Sequence, residues 1–219
     1  MSGHHATDAV RSALVLGLTI AGLYLLASAA LIKAKAWLAP LLIAAAWEQT
    51  LERGEPGVKP WSWADTWPVA RLLAPGQGTD LLVLAGDTGN ALAFGPGHAT
   101  ASAPLGAIGL AVIGGHRDTH FAFLRQLAPG GMLQLQLPTG RLRNYEVQST
   151  EIVDTRLQSL QPQSDEERLL LVTCYPFNAV TTGGPLRYVV SAIPAVDPSS
   201  VPAMGQQVTP DGPPLAVKE

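Results

Sequence analysis

The chain has 219 residues, enough for one domain with its own core and additional segments. It carries 14 Lys and Arg against 17 Asp and Glu, a net charge of -3. This balance disfavours a nucleic-acid binder, because neutralising phosphates requires a clustered surplus of basic side chains. Only 14% of the residues are charged, so part of the chain is not ordinary soluble surface.

The first predicted element is a membrane anchor over residues 13–32. This stretch of 20 residues carries no charge, and its length as a helix matches a hydrocarbon core of about 30 Å. A buried helix and a cleaved signal peptide are the alternatives, but the stretch is longer than the apolar region of a usual signal peptide. We therefore predict an uncleaved anchor preceded by a short segment, residues 1–12.

The charges flanking the anchor give a weak indication of its orientation. Arg11 precedes it, whereas Lys33 and Lys35 follow it. Cytoplasmic flanks carry the excess of basic residues, so this count alone slightly favours a cytoplasmic C-terminus.

Residues 33–60 are predicted to form a juxtamembrane helix and linker. The apolar part begins at Trp37, contains Pro40 and is too short to span a second time. It fits either an interfacial helix or a linker helix packed on the domain. Residues 55–75 carry three tryptophans and several prolines, which exclude a long helix and predict an extended arm lying on the domain.

From Thr79 onward the pattern changes to short apolar runs separated by turn residues. In "MLQLQL" the leucines share one face of a strand and the glutamines share the other. This period predicts an all-β sandwich or barrel. One helical piece, residues 119–127, is predicted with Asp118 or Thr119 as its N-cap. The Pro- and Gly-rich residues 194–219 are predicted to form a flexible tail. The predicted strands are "DLLVLAG", "GLAVIGGH", "MLQLQL", "RLRNYEVQSTEIV", "RLLLVTC" and "LRYVVSAI".

Three chemically active side chains stand at the ends of predicted strands. Cys174, the single cysteine, ends one run, His116 ends another, and Arg187 lies at the start of a third. On neighbouring strands they would share one rim. A thiolate at Cys174 could then attack a carbonyl, Arg187 could donate to the oxyanion, and His116 could protonate the leaving amine.

Each of these residues also has an ordinary structural interpretation. Cys174 could be a small buried apolar residue, His116 a capping residue, and Arg187 one half of a surface ion pair. A lone cysteine with scattered histidines matches no zinc-ligand spacing, so no metal site is expected. His98 and His120 are expected to be structural, and no cofactor is predicted.

The motifs around these residues resemble those of the sortase family. They are "GGHRDTHFAFLRQL", "TCYPF" and "GGPLRYVV". "KPWSWADTWPVARL" and "ALAFGPGH" resemble most closely the Gram-negative branch of that family. The resemblance covers residues 37–193. It implies a closed β-barrel with short helices as the catalytic domain, residues 61–193.

The resemblance also implies roles for individual residues. His116, Cys174 and Arg187 take the catalytic positions, and Thr173 takes the position of the threonine before the nucleophile, a predicted substrate contact. The loop before the cysteine strand, residues 154–167, is where the family commonly recognises its signal, and we expect Leu157 and Leu160 to contact the substrate there.

The implied protein is a cysteine transpeptidase anchored in the inner membrane by a single pass. Its barrel is expected in the periplasm and its N-terminus in the cytoplasm. This orientation is opposite to the one that the flanking basic residues favour. The implied substrate is a protein with a C-terminal LPxTG-like signal, cut after the threonine and passed to an unidentified amine.

Some sortases bind calcium through acidic loops, and here Asp165, Glu166 and Glu167 form one acidic cluster. Because the loop after Phe94 has no acid, a solvated charge run is the preferred interpretation.

Two rival functions stay open. A cysteine protease would resolve the same intermediate with water, and a non-catalytic anchored β-domain would simply bury the cysteine. L,D-transpeptidases are disfavoured, because their "SxGC" segment is absent around Cys174.

Overall fold

The chain folds into a closed, eight-stranded β-barrel preceded by one long helix. The computed structural model describes residues 3–157, 165–179 and 183–195. The barrel order is β1-β2-β3-β4-β7-β8-β6-β5, which confirms the predicted all-β closed barrel. The elements are α1 (Gly3–Arg53), β1 (Pro68–Ala74), β2 (Thr79–Ala85), α2 (Gly89–Leu92), β3 (Gly97–His98), β4 (Gly109–Gly114), β5 (Met132–Gln136), β6 (Leu142–Asp154), β7 (Glu167–Cys174) and β8 (Leu186–Pro194).

The barrel interior is filled by alternate residues of the strands, because successive side chains of a strand point to opposite faces. In β5 the buried residues are Leu133 and Leu135, as the alternating sequence predicts. Aromatic residues from the segment between β4 and β5, among them Phe121, join the same core. The fully or nearly buried interior residues include Ala70, Leu72, Ala74, Val83, Ile113, Phe121, Leu124, Leu133, Leu135, Tyr145, Val147, Leu169, Leu171, Val190 and Ala192.

Two strands were not predicted. β1 lies inside the predicted extended arm, where Pro68 obscures it; proline is tolerated as the first residue of a strand. β3 has only two residues, too few for any period, and it pairs parallel with β2 and antiparallel with β4. A Cβ on Gly97 would lie 2.0 Å from the Gly86 carbonyl oxygen, so this close approach requires glycine.

The predicted helical piece at residues 119–127 forms a short 3₁₀ helix, Ala122–Gln126. Its predicted cap is wrong. Phe121 occupies the N-cap position, and no side chain caps the helix. Instead the Phe121 amide donates to the His116 carbonyl at 2.9 Å, so a backbone turn replaces the expected side-chain cap.

α1 is one continuous helix that runs through Pro40. Its part from Leu14 onward is long and apolar enough to cross a membrane, judged by length and composition. Near its C-terminal end Ile43 and Trp47 are buried, and Ile43 packs with Leu84 of β2. The end of this segment therefore packs on the barrel, and the choice between an interfacial and a packed linker helix stays a prediction. The domain boundaries at residues 60 and 193 stay predictions.

Candidate active site

Cys174 is the last residue of β7, and its thiol is free and half-buried. Along β7 the odd-numbered Leu169, Leu171 and Thr173 are buried, the leucines as part of the barrel core. Cys174 lies on the opposite face, which it shares with Leu170 and Val172. Its side chain therefore projects from the outer side of the barrel wall, at the end of the strand.

Arg187 is the direct register partner of Cys174 across the antiparallel β7–β8 pair. Opposite residues in such a pair place their side chains on the same face, with Cβ atoms about 4.5–5.5 Å apart. Nη1 of Arg187 donates to the carbonyls of Gly184 at 2.7 Å and Leu186 at 3.0 Å. In the described part of the chain no carboxylate pairs with Arg187, unlike the surface ion pair considered as the structural alternative.

His116 follows β4 by two residues and lies beside the end of β7. β4 and β7 pair in parallel, with Gly114 opposite Val172. The ladder continues past β4, because the Gly115 amide donates to the Val172 carbonyl at 3.1 Å. This extension carries the exposed His116 towards the level of Cys174. The β4 and β7 ends thus bring the imidazole to the same end of the barrel as the Cys174–Arg187 pair.

Thr173 holds these two strand ends together. Its hydroxyl donates to the Gly115 carbonyl at 2.7 Å, and the residue is only 2% exposed. A direct substrate contact at Thr173 stays a prediction, whereas its bond to the residue before His116 is observed.

Gly115 is required by close packing. A Cβ there would lie 2.8 Å from the ring of Phe121, which is fully buried. The ring therefore sets the path of the backbone immediately before His116. In the sequence, the only indication of this close packing is the pair of glycines before His116.

His120 lies close to His116, with ring centroids 6.3 Å apart. Its Nδ1 atom is buried and, among the described residues, has no hydrogen-bond partner. Burial lowers the pKa of His120, the nearby His116 lowers it further, and Asp118 opposes both. Its surroundings therefore favour the neutral form of His120.

The loops around the site are tied together by residues that the sequence analysis did not single out. Nη2 of Arg117 donates to the Ala179 carbonyl at 2.6 Å, which links the segment after His116 to the segment after Cys174. Phe177 packs edge-on against Tyr188 with centroids 5.2 Å apart, and Tyr175 stacks on the same ring at 6.3 Å. In the sequence, the aromatic residues that flank Cys174 and Arg187 were the feature that could have indicated these contacts between the loops.

A second apolar cluster is buried on the outer face of the barrel, beside the strand that ends at Cys174. Leu110, Leu170, Val153 and Val189 form this cluster, with Val112 and Val172 packed at its edge. It is separate from the interior core. Val172, at the edge of this cluster, is half-buried like Cys174 and lies on the same side of the barrel wall.

The remaining predicted substrate contacts are less defined. Leu157 follows β6 and is 82% exposed, whereas Leu160 lies outside the described residues. In the predicted acidic cluster, Glu167 accepts hydrogen bonds from Arg143 and Tyr145, so this carboxylate is already engaged by the barrel. No group of three potential metal ligands occurs within residues 3–157, 165–179 and 183–195.

Comparison with known proteins points to one family. The family profile described as "Sortase domain" matches residues 72–195, more than half of the chain. Sortase D of Bacillus subtilis (strain 168) is 36% identical over 117 residues, which cover 53% of this chain and 58% of that protein. The match thus spans less than two thirds of this relative's length.

Solved structures agree on the fold. A Clostridium perfringens Sortase D5 transpeptidase superposes with a TM-score of 0.51 at 24% identity, covering 59% of this chain and 80% of that chain. Sortase A from Corynebacterium diphtheriae gives a TM-score of 0.53 at 23% identity, covering 75% and 93% respectively. At this level of identity these two likenesses support the barrel fold alone.

Proposed function

Because the chain belongs to the sortase family of cysteine transpeptidases, we propose that it cleaves an LPxTG-like C-terminal signal and transfers the protein to an amine. The observation that carries the proposal is the register pairing of Cys174 with Arg187, beside the β4 end that bears His116. This arrangement gathers a nucleophile, a fixed cation and an acid–base group at one end of the barrel.

In the first half-reaction the Cys174 thiolate attacks the carbonyl carbon of the signal's Thr–Gly bond. The carbonyl electron pair moves onto oxygen, and the Arg187 guanidinium donates hydrogen bonds to that oxyanion. When the oxyanion collapses, the C–N bond breaks and the leaving nitrogen takes a proton from the His116 imidazolium. The products are a thioacyl enzyme and a released peptide with a free amine.

In the second half-reaction an amine attacks the thioacyl carbonyl. His116, now neutral, accepts the amine's proton, and the Cys174 thiolate leaves. The net change exchanges one amide bond for another, and the enzyme returns with the thiolate and the imidazolium restored. The proposed mechanism thus requires the Cys174 thiolate and the His116 imidazolium in the same molecule at the start of each cycle.

Substrate recognition is proposed for the loop before β7 and for the outer face at the end of β7. Val172 and Cys174 are both half-buried on the outer face of β7, so a signal peptide lying along this end of the strand would present its carbonyl to Cys174. Leu157 and Leu160 are proposed to hold the signal's apolar part. Leu157→Ala should therefore raise KM more than it lowers kcat; an unchanged KM would contradict this role.

The proposed topology places the N-terminus in the cytoplasm and the barrel in the periplasm, with α1 as a single-pass anchor in the inner membrane. The long apolar part of α1 supports anchoring. The Gram-negative branch rests on the resemblance of "KPWSWADTWPVARL" and "ALAFGPGH". A reporter enzyme fused after Glu219 should be active only in the periplasm, and activity confined to the cytoplasm would contradict the topology.

The experiment that tests the transferase assignment is product analysis with a synthetic signal peptide. With an added amine the acyl product should carry that amine, and without it the peptide should turn over slowly by hydrolysis. If the amine never appears in the product and does not change the rate, the enzyme is the hydrolytic cysteine protease instead. If no cleavage occurs and the thiol is inert to a peptide-like probe, the non-catalytic domain is the correct alternative.

A further inference from the structure

A cleft lies where α1 passes the edge of the globular domain. It has a volume of about 470 Å³, within the range of roughly 300–1,000 Å³ typical of ligand pockets. α1 contributes Ile32, Lys35 and Ala36 to one wall, and the arm before β1 contributes Trp61 and Trp63 to the other, with Phe94 beside them. We call this the juxtamembrane cleft.

The tryptophans of the cleft have different environments. Trp61 is half-buried and packs edge-on against Phe94, with ring centroids 5.6 Å apart, so the arm is fixed against the domain. Trp63 is 83% exposed, and Phe94 is 40% exposed. On the helix, Trp37 is 75% exposed at a neighbouring level. A group of exposed aromatic residues of this size indicates an interaction site rather than ordinary surface.

The position of the cleft along α1 indicates that it lies at the membrane surface. Ile32 is the last residue of the charge-free stretch and also lines the cleft. The lining along α1 reaches Leu42, roughly 15 Å further at 1.5 Å per residue. The cleft therefore begins where the apolar span ends, which is the level at which tryptophans are enriched in membrane proteins.

We propose that the juxtamembrane cleft binds one phospholipid of the bilayer that α1 enters, with an acyl chain between α1 and Trp63 and the phosphate near Lys35. This inference rests on the membrane anchoring proposed above and goes beyond it. The cleft is continuous with the apolar surface of the span, so a chain of the adjacent lipid can enter without crossing water. Lys35 supplies a cation at the cleft wall, where its ammonium can donate hydrogen bonds to a lipid phosphate.

The test uses the full chain in vesicles of phosphatidylethanolamine and phosphatidylglycerol that contain a phospholipid with a photoreactive acyl chain. After irradiation, lipid adducts are mapped by mass spectrometry of peptides. Adducts are expected on the arm peptide that carries Trp61 and Trp63, in addition to those on the span of α1. The span adducts report on anchoring, and the arm adducts report on the cleft.

Two alanines of α1 provide a matched pair of variants. Ala36 lines the cleft, whereas Ala34 is exposed on α1 outside it. Ala36→Phe fills the cleft and should lower the arm adducts by about tenfold, a loss of about 1.4 kcal/mol in binding. Ala34→Phe should leave them unchanged, and both variants should keep the span adducts. Lys35→Gln should remove a preference for phosphatidylglycerol that Lys33→Gln leaves in place.

Several outcomes would overturn the proposal. Span adducts without arm adducts would mean that no lipid enters the cleft. Equal effects of Ala36→Phe and Ala34→Phe would mean that the arm is labelled from elsewhere. Crosslinks from the arm to a second copy of the chain or to a substrate's membrane segment would assign the cleft to protein. Loss of all adducts, with peptide acylation intact, would reject the anchoring and leave the catalytic proposal standing.

Discussion

At the scale of single residues, the account depends on what the Arg187 guanidinium does. Arg187→Lys keeps a positive charge but loses the planar fork of donors. We expect single-turnover acylation of Cys174 by a signal peptide to slow by about 10²–10³-fold, the usual cost of one lost oxyanion donor. Arg125→Lys, an exposed site, is the control and should be silent. A parent-like rate for Arg187→Lys would reassign Arg187 to a structural role.

Thr173 tests whether a residue beside the nucleophile positions the site or touches the substrate. Thr173→Val removes the hydroxyl that donates to the Gly115 carbonyl and should cost about 1–3 kcal/mol of unfolding free energy. Because the bond aligns the His116 segment, kcat should fall more than KM rises. Thr155→Val removes a similar bond to the Pro185 carbonyl at an exposed position and should cost far less. A change confined to KM would favour direct substrate contact.

The sequence proposes the three candidate catalytic residues: Cys174 and His116 end apolar runs, Arg187 starts another, and the resemblance to sortases implies their roles, which stay predictions. Their register could not be predicted from the sequence. That Cys174 faces Arg187 across one ladder, and that Thr173 bonds to Gly115, depends on which strands are neighbours in the barrel. Strand order follows from long-range packing, which a local period does not encode.

At the scale of elements, the close packing of Gly115, just after β4, against Phe121 can be tested by substitution. Gly115→Ala places a methyl group against the buried Phe121 ring, and overpacking of this kind typically costs about 1–3 kcal/mol. The displaced backbone should also move His116, so acylation should slow beyond what the stability loss explains. Gly114→Ala is the matched control, because its Cβ would have no neighbour closer than 4.0 Å. Urea unfolding and acylation kinetics of both variants provide the measurement; equal effects would contradict the packing argument.

The long alternating strands were predictable and the short or interrupted ones were not. β5 shows an unbroken period of two, whereas β3 has two residues and exists through its pairing with β2 and β4. The 3₁₀ helix lost its predicted cap because the chain closes a turn from Phe121 to His116 instead. α1 continues through Pro40, and beyond it Ile43 and Trp47 are buried, with Ile43 against Leu84 of β2.

At the scale of the whole molecule, barrel stability should depend on pH through Glu167, the first residue of β7, and its ion pair with Arg143. Burial alone raises the pKa of Glu167, but hydrogen bonds from Arg143 and Tyr145 and the charge of Arg143 leave that pKa lowered. A carboxylate with a lowered folded pKa stabilises the protein above its unfolded pKa, and this contribution is lost as pH falls through the folded pKa. Unfolding free energy should therefore decrease from neutral pH towards pH 3.

Glu167→Gln isolates this contribution. The variant should be less stable than the parent at pH 7, and the difference should shrink at acidic pH, where the parent's carboxylate is also neutral. Glu146→Gln, on an exposed position of β6, serves as the control. A difference that stays constant between pH 7 and pH 3 would show that the ion pair is not the source.

The packing of α1 against the barrel also places the candidate site near the proposed membrane anchor. Pro40 and Ile43 of α1 line a small cavity of about 160 Å³ together with His120, whose ring lies 6.3 Å from that of His116. Ile43 is 11 residues beyond Ile32, roughly 16 Å along the helix. The proposed chemistry would thus take place close to the bilayer surface, within reach of a signal held near a membrane.

The central claim is that Cys174 forms a thioacyl intermediate with the signal peptide. The most direct measurement is the mass of the Cys174-containing peptide after acid quench of a single turnover. The account predicts a mass increase equal to the substrate's acyl part up to the threonine, lost when an amine is added and absent in Cys174→Ala. Cleavage of the signal peptide by Cys174→Ala, or turnover by the parent without any adduct on Cys174, would contradict it.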